Sequence, residues 1–146
     1  MNLEERLRIL ASVPEFRGMP DAARATLAAA LREERFAAGE VVIEAGEHAD
    51  RVFILAAGLL EVTPPGREQT KRRLERGALL GELAFFASDL RTATVTAASD
   101  CVLLSLPYEN FRSFLIANPE SALVLTGRIV RTLREIEAEL AQRQAG

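Results

Sequence analysis

Apolar residues at the start of the chain recur at helical spacing, with Leu3, Leu7 and Leu10 on one face. Pro20 and Asp21 open a second run in which Leu27 and Leu31 lie one turn apart, so residues 3–35 are expected to be helical. From about residue 40 the period changes. VVIEAG, RVFILAAG and LLEVTPPG are short β-branched or aromatic runs, each closed by a glycine (Gly46, Gly58, Gly66), a rhythm that predicts stacked short strands. Pro65 and Gly66 suit the central positions of a type II turn, where proline fixes φ and glycine accepts a positive φ, so 59–74 reads as a hairpin. RTATVTA alternates in period two, whereas CVLLSL is apolar enough to be buried on both faces. Helix returns after Pro107 through Phe111 and Phe114. Asn118 and Pro119 then supply an N-cap and a first-turn proline for a last helix reaching about residue 140. In it Ile129, Leu133, Ile136 and Leu140 form a heptad-like stripe, with Leu123 and Val130 on an adjoining face.

The length, 146 residues, suits one domain over 1–146: N-terminal helices to 35, a β region over 36–106 and C-terminal helices over 107–146. Hydrophobic residues at 49% and charged residues at 27% are globular proportions, and no apolar run approaches the roughly 18–20 residues that span a bilayer. The acids in MNLEERLRIL do not suit a secretory signal, so a cytoplasmic location is expected. One cysteine and one histidine exclude an intrachain disulfide and leave no cluster of these ligands for zinc. His48 is expected in a surface turn and Cys101 as a small buried apolar side chain. The net charge of −3 and the scattering of basic residues among acids give no stripe for nucleic acid.

The candidate chemistry sits in GELAFFASDLRTATVTA, residues 81–97. Gly81 leaves room for a close ligand, and Glu82, Leu83 and Ala84 can begin a short helical turn whose first N–H groups lack intrahelical partners. Such a turn attracts an anion. Arg91, a short helix and turn later, can bring a guanidinium to the same point, where parallel N–H bonds fit phosphate oxygens. An ionised Glu82 only accepts hydrogen bonds, so it needs a donor such as a sugar hydroxyl. A phosphate beside a ribose satisfies both. The residues alone leave two further readings open: Glu82 as a helix-start acid, or a structural salt bridge between Glu82 and Arg91. The segment offers no nucleophile with a base and no metal ligands, which argues against hydrolysis of a phosphodiester and against an enzyme.

With Phe36, Gly39, Gly46, Glu47, Asp50, Phe53, Ile54, Gly58 and Val62 before it, the segment resembles the cyclic nucleotide-binding domains of kinase regulatory subunits, gated channels and catabolite-activator-type regulators. The resemblance covers residues 10–136, with 80–95 similar to the family's phosphate-binding cassette. It implies a mostly β fold with flanking helices: a jelly-roll-like β roll, or double-stranded β-helix, with a short cassette helix and a C-terminal helix serving as lid or dimerisation element. It implies that Glu82 binds the ribose 2′-hydroxyl and Arg91 the cyclic phosphate, with Gly81 and backbone N–H groups around Leu83, Ala84, Thr92 and Ala93 completing the anion site. Leu74 and Leu79 resemble wall residues beside the purine, and Arg131, Arg134 and Ile136 would cap it from the last helix. A solvated helix face for these arginines and a homodimer through the stripe remain open. Many members have phenylalanine where this chain has Leu80. Thr92 admits cGMP as well as cAMP. The implied function is a noncatalytic sensor without cofactor or metal, acting on an unknown effector protein or attached domain and lacking the helix-turn-helix of DNA-reading members. A ligand-free structural or interaction module is the alternative.

Overall fold

A computed structural model of the chain describes residues 1–64, 66, 71–87 and 90–145; of Ala87, Ile136, Arg143 and Ala145 it describes the backbone alone. The elements run α1 (Leu3–Ser12), a 3₁₀ turn (Pro14–Phe16), α2 (Asp21–Ala30), β1 (Arg32–Phe36), β2 (Val41–Ile43), β3 (Arg51–Ala57), β4 (Leu60–Thr63), β5 (Arg72–Leu74), β6 (Leu79–Leu80), α3 (Glu82–Ala87), β7 (Thr94–Ala97), β8 (Cys101–Pro107), α4 (Tyr108–Ala117) and α5 (Pro119–Ala145). Two antiparallel sheets of four strands form the β roll, in the orders β1-β8-β3-β6 and β2-β7-β4-β5.

β8 shows how the sequence builds this double layer. Cys101 and Leu103 point into the core between the sheets, while Leu104 and Leu106 join the core under the helices. β3, its neighbour, divides in the same way: Phe53 and Leu55 face the first core, Val52, Ile54 and Ala56 the second. Both strands are therefore apolar on two sides, as the CVLLSL run predicts. Leu80 is buried in the inter-sheet core and pairs with Phe53.

The expected helix over 3–35 is corrected in two places. It breaks at the 3₁₀ turn, and its last residues form strand β1, which pairs along β8 from Arg32 opposite Ser105 to Phe36 opposite Cys101. REERF carries four charges and no apolar alternation; the apolar partner strand recruits it, not its own pattern. The hairpin over 59–74 is seen in the pairing of β4 with β5, Leu60 opposite Leu74 and Val62 opposite Arg72. Pro65, half of the expected type II turn, lies outside the described residues. Asn118 differs from an ordinary N-cap: its side-chain amide donates back to Phe114 O at 3.0 Å, closing the end of α4. α5 runs to Ala145, longer than expected, but only its start is docked, with Ser121 and Leu125 buried and Ile129 against the helix-side core. Val130, Leu133 and Leu140 are exposed.

Candidate ligand-binding site

At the end of β6 the chain turns through Gly81 straight into α3. Gly81 has φ +87°, and a Cβ there would lie 2.6 Å from Arg91 Nη1, so the corner is glycine because the arginine passes directly against it. Arg91 is fixed first by its backbone. Its N–H donates to Glu47 O (2.8 Å) and its carbonyl accepts from the Gly46 N–H (2.9 Å), which pins it to the turn after β2. The buried guanidinium then donates from Nη1 to Gly81 O (3.2 Å) and Tyr108 Oη (3.2 Å), and from Nη2 to Arg51 O (2.8 Å). These acceptors are all neutral. None of these bonds uses Nε, which is left to donate to an anion in the cleft. Burial pushes the Arg91 guanidinium down from its ordinary value, and a bound anion would offset that cost.

The acceptor at Arg51 O is itself secured. The Arg51 side chain donates from Nε and Nη2 to the two oxygens of Glu34 (3.0 and 3.1 Å) and from Nη1 to Asp50 (2.8 Å), with its guanidinium 4.7 Å from the centre of the Phe53 ring. Burial alone would raise Glu34; the Arg51 bonds, the Ser105 hydroxyl and the Arg51 charge together outweigh it and hold the carboxyl below its usual range. A depressed acid stabilises the fold fully above its unfolded value, about 4.3, and loses that contribution as pH falls through the lower folded value. Glu34→Gln is therefore expected to melt below the wild type at pH 7, with the gap closing on acidification below about pH 4.3. A gap that widens in acid contradicts this assignment.

Glu82, the first residue of α3, is 5% exposed and accepts from Arg128 Nη2 on α5. Its ion-pair partner is thus Arg128 and not Arg91. Arg128 Nε also lies 2.6 Å from Oε1 of Glu15, a residue of the 3₁₀ turn that is 4% exposed; this is a charge contact without an aligned hydrogen bond. Phe85 anchors α3 from behind by edge-on ring contacts to Tyr108 and Phe111, at centroid distances of 5.2 and 5.1 Å.

Gly81, Glu82, Leu83, Ala84, Arg91, Thr92 and Ala93 line one cleft, and Leu74 and Leu79 form part of its apolar wall. Arg72 and Arg128 also reach it. Arg131 and Arg134 are exposed and do not line the cleft, and the Ile136 side chain lies outside the described residues. Arg128, Arg131 and Arg134 follow one another at intervals of three, so spacing alone does not single out Arg128; the packing of α5 on the 3₁₀ turn does. Among the described residues no three His, Cys, Asp or Glu side chains converge as a metal ion requires, and no helix is long and apolar enough to cross a membrane.

Comparison with known proteins agrees with this architecture. The profile of the cyclic nucleotide-binding domain family matches residues 33–118. A cyclic nucleotide-gated potassium channel of Mesorhizobium japonicum is 34% identical over 115 residues, covering 79% of this chain and 31% of the channel. A CRP-like cAMP-activated global transcriptional regulator of Mycobacterium tuberculosis is 29% identical over 136 residues, covering 91% of this chain and 61% of the regulator. The structure of cAMP-bound PfPKA-R superposes with a TM-score of 0.80 at 25% identity, over 94% of this chain and 48% of that one. The chain thus spans about a third of the channel and three fifths of the regulator. With a matching profile over more than half its length and the family's β roll around the cleft, this chain belongs to the cyclic nucleotide-binding domain family.

Proposed function

We propose that the chain is a noncatalytic sensor of a cyclic purine nucleotide. The observation that carries this reading is Arg91: a buried guanidinium in a cleft, bonded only to neutral acceptors and with its Nε donor left over. The cyclic phosphate would take that donor together with backbone N–H groups of Leu83, Ala84, Thr92 and Ala93. Glu82 would accept from the ribose 2′-hydroxyl, and the purine would lie toward Leu74 and Leu79. A protein of the same fold solved with cAMP bound, PfPKA-R, supports the ligand class. The alternative, a structural module with an unused pocket, calls for a cleft filled by side chains. Here about 190 Å³ remains open. That is below the roughly 300–1,000 Å³ usual for ligand sites, and a nucleotide that fills the cleft would displace lining side chains or stand partly in solvent. α5 contributes one of them, which makes it the element whose position would report binding to a partner or an attached domain. The exposed Val130, Leu133 and Leu140 offer that helix a face for a second copy.

The choice of base turns on two residues. Adenine and guanine differ at the 6-position, a donor in one and an acceptor in the other. Arg72, on β5 at the edge of the cleft, only donates, and Thr92 can accept from the 2-amino group that guanine alone carries. Arg72→Ala is therefore expected to weaken cGMP binding about tenfold, within the 1–3 kcal/mol of a good guanine contact, while changing cAMP binding less than threefold. Equal weakening of both nucleotides would show that Arg72 does not read the base, and no change in either would make it a solvated strand residue. Calorimetric titration of the purified chain with cAMP and cGMP tests the function itself; saturable binding of either supports it, and no heat at millimolar ligand removes it.

A further inference from the structure

The cleft contains one arrangement that ligand contact alone does not explain: two buried carboxylates sharing a single guanidinium. Glu15 and Glu82 are 4% and 5% exposed, stand on the 3₁₀ turn and on α3, and both meet Arg128 of α5 through different nitrogens. Burying a carboxylate is costly unless a cation accompanies it, and here one cation serves two. Whatever draws Arg128 toward one acid leaves the other less compensated. Glu82 is the acid whose free acceptor capacity the sugar needs, and Arg128 is among the side chains that narrow the cleft.

Resting on the sensor reading above, we propose that Glu15 is a positioning residue for nucleotide binding: it is the alternative anion that holds Arg128 when the ribose hydroxyl engages Glu82. In the free protein Arg128 bridges both acids. When a neutral hydroxyl donates to Glu82, that carboxylate gains a partner, and Arg128 shifts its charge toward Glu15 without becoming an unpaired buried cation. The 3₁₀ turn packs on the helices through an edge-on contact of Phe16 with Phe114, 5.1 Å between centroids, so a shift of Arg128 toward Glu15 would be felt where α5 leaves α4. Glu15 touches no ligand in this scheme; it acts entirely through Arg128.

That dependence supplies the test. Affinities for cAMP and cGMP are measured by calorimetry on the wild type, Glu15→Gln, Arg128→Met and the double variant, with a thermal melt of each free protein alongside. The expected result is about a tenfold weakening in Glu15→Gln that disappears when the same change is made in the Arg128→Met background, the coupling of a pair acting as one unit. A residue of purely structural importance would lower the melting temperature while leaving the affinity within twofold. If Arg128→Met does not fold, Arg128→Lys replaces it; lysine offers a single point charge and cannot present two separate nitrogens to the two acids, so the Glu15→Gln penalty should again shrink. Affinity within twofold for Glu15→Gln, or the same loss in both backgrounds, overturns the role of Glu15 and leaves the sensor reading standing. Absence of binding by the wild type overturns both.

Discussion

Arg91→Ala is expected to weaken nucleotide binding by at least about thirtyfold, some 2 kcal/mol, because a charge-assisted bond of roughly 1.5–3 kcal/mol to the phosphate is lost. The same side chain also holds Gly81 O, Arg51 O and Tyr108 Oη, so the alanine variant will lose stability as well. Arg91→Lys separates the two effects. Lysine keeps the charge but cannot bond three fixed acceptors and still present a further donor to the ligand. It should therefore recover part of the affinity, but not all of it. Recovery to the wild-type dissociation constant would show that charge alone is needed and that the remaining guanidinium donor has no special role. Calorimetry on both variants, with melting curves of the free proteins, distinguishes these outcomes.

The second large effect comes from a pair of glycines that share a backbone conformation and differ in what surrounds them. Gly58 has φ +94°, and a Cβ there would meet the Asp100 carbonyl oxygen at 2.3 Å and Cys101 Sγ at 2.8 Å. At Gly81 the nearest atom is the far end of the Arg91 side chain, at 2.6 Å, with Arg51 O at 3.2 Å. Both alanine variants carry backbone strain of order 1–3 kcal/mol. At Gly58 the obstacle is the backbone carbonyl of Asp100, just before β8, and cannot step aside, so Gly58→Ala should lose about 3 kcal/mol of stability or more. At Gly81 the guanidinium can be pushed away, which relieves the fold and would disrupt the proposed phosphate site. Gly81→Ala is thus expected to lose less stability than Gly58→Ala and more than tenfold in nucleotide affinity. Urea midpoints and calorimetry would check this; equal stability losses with intact binding at Gly81 contradict the close approach of Arg91.

Much of this fold is readable from residue order because its strands follow a local rule. Glycines at Gly46, Gly58 and Gly66, all with positive φ, close the successive β runs, and CVLLSL reads correctly as a strand between two cores. What escapes is set by partners distant in the chain. REERF has no strand pattern of its own and becomes β1 only because β8 offers it an edge. Glu82 and Arg91 can be picked out as candidates because a glycine corner, a carboxylate and a distant arginine are an unusual local combination. Arg128 cannot. Three arginines in α5 share a spacing, and only the docking of the helix start against the 3₁₀ turn brings the first of them to Glu82 while Arg131 and Arg134 stay in solvent. Glu15 escapes for the same reason: nothing local in VPEF marks it, and the fold buries it.

The central claim is that the cleft between Glu82 and Arg91 takes a cyclic nucleotide. Its most direct test is calorimetric titration of the wild-type chain with cAMP and with cGMP, repeated with Arg91→Ala. Saturable binding of at least one nucleotide at one site per chain is expected, weakened at least about thirtyfold by the substitution. No heat and no thermal shift from either nucleotide at millimolar concentration, or equal affinity for wild type and variant, would contradict it.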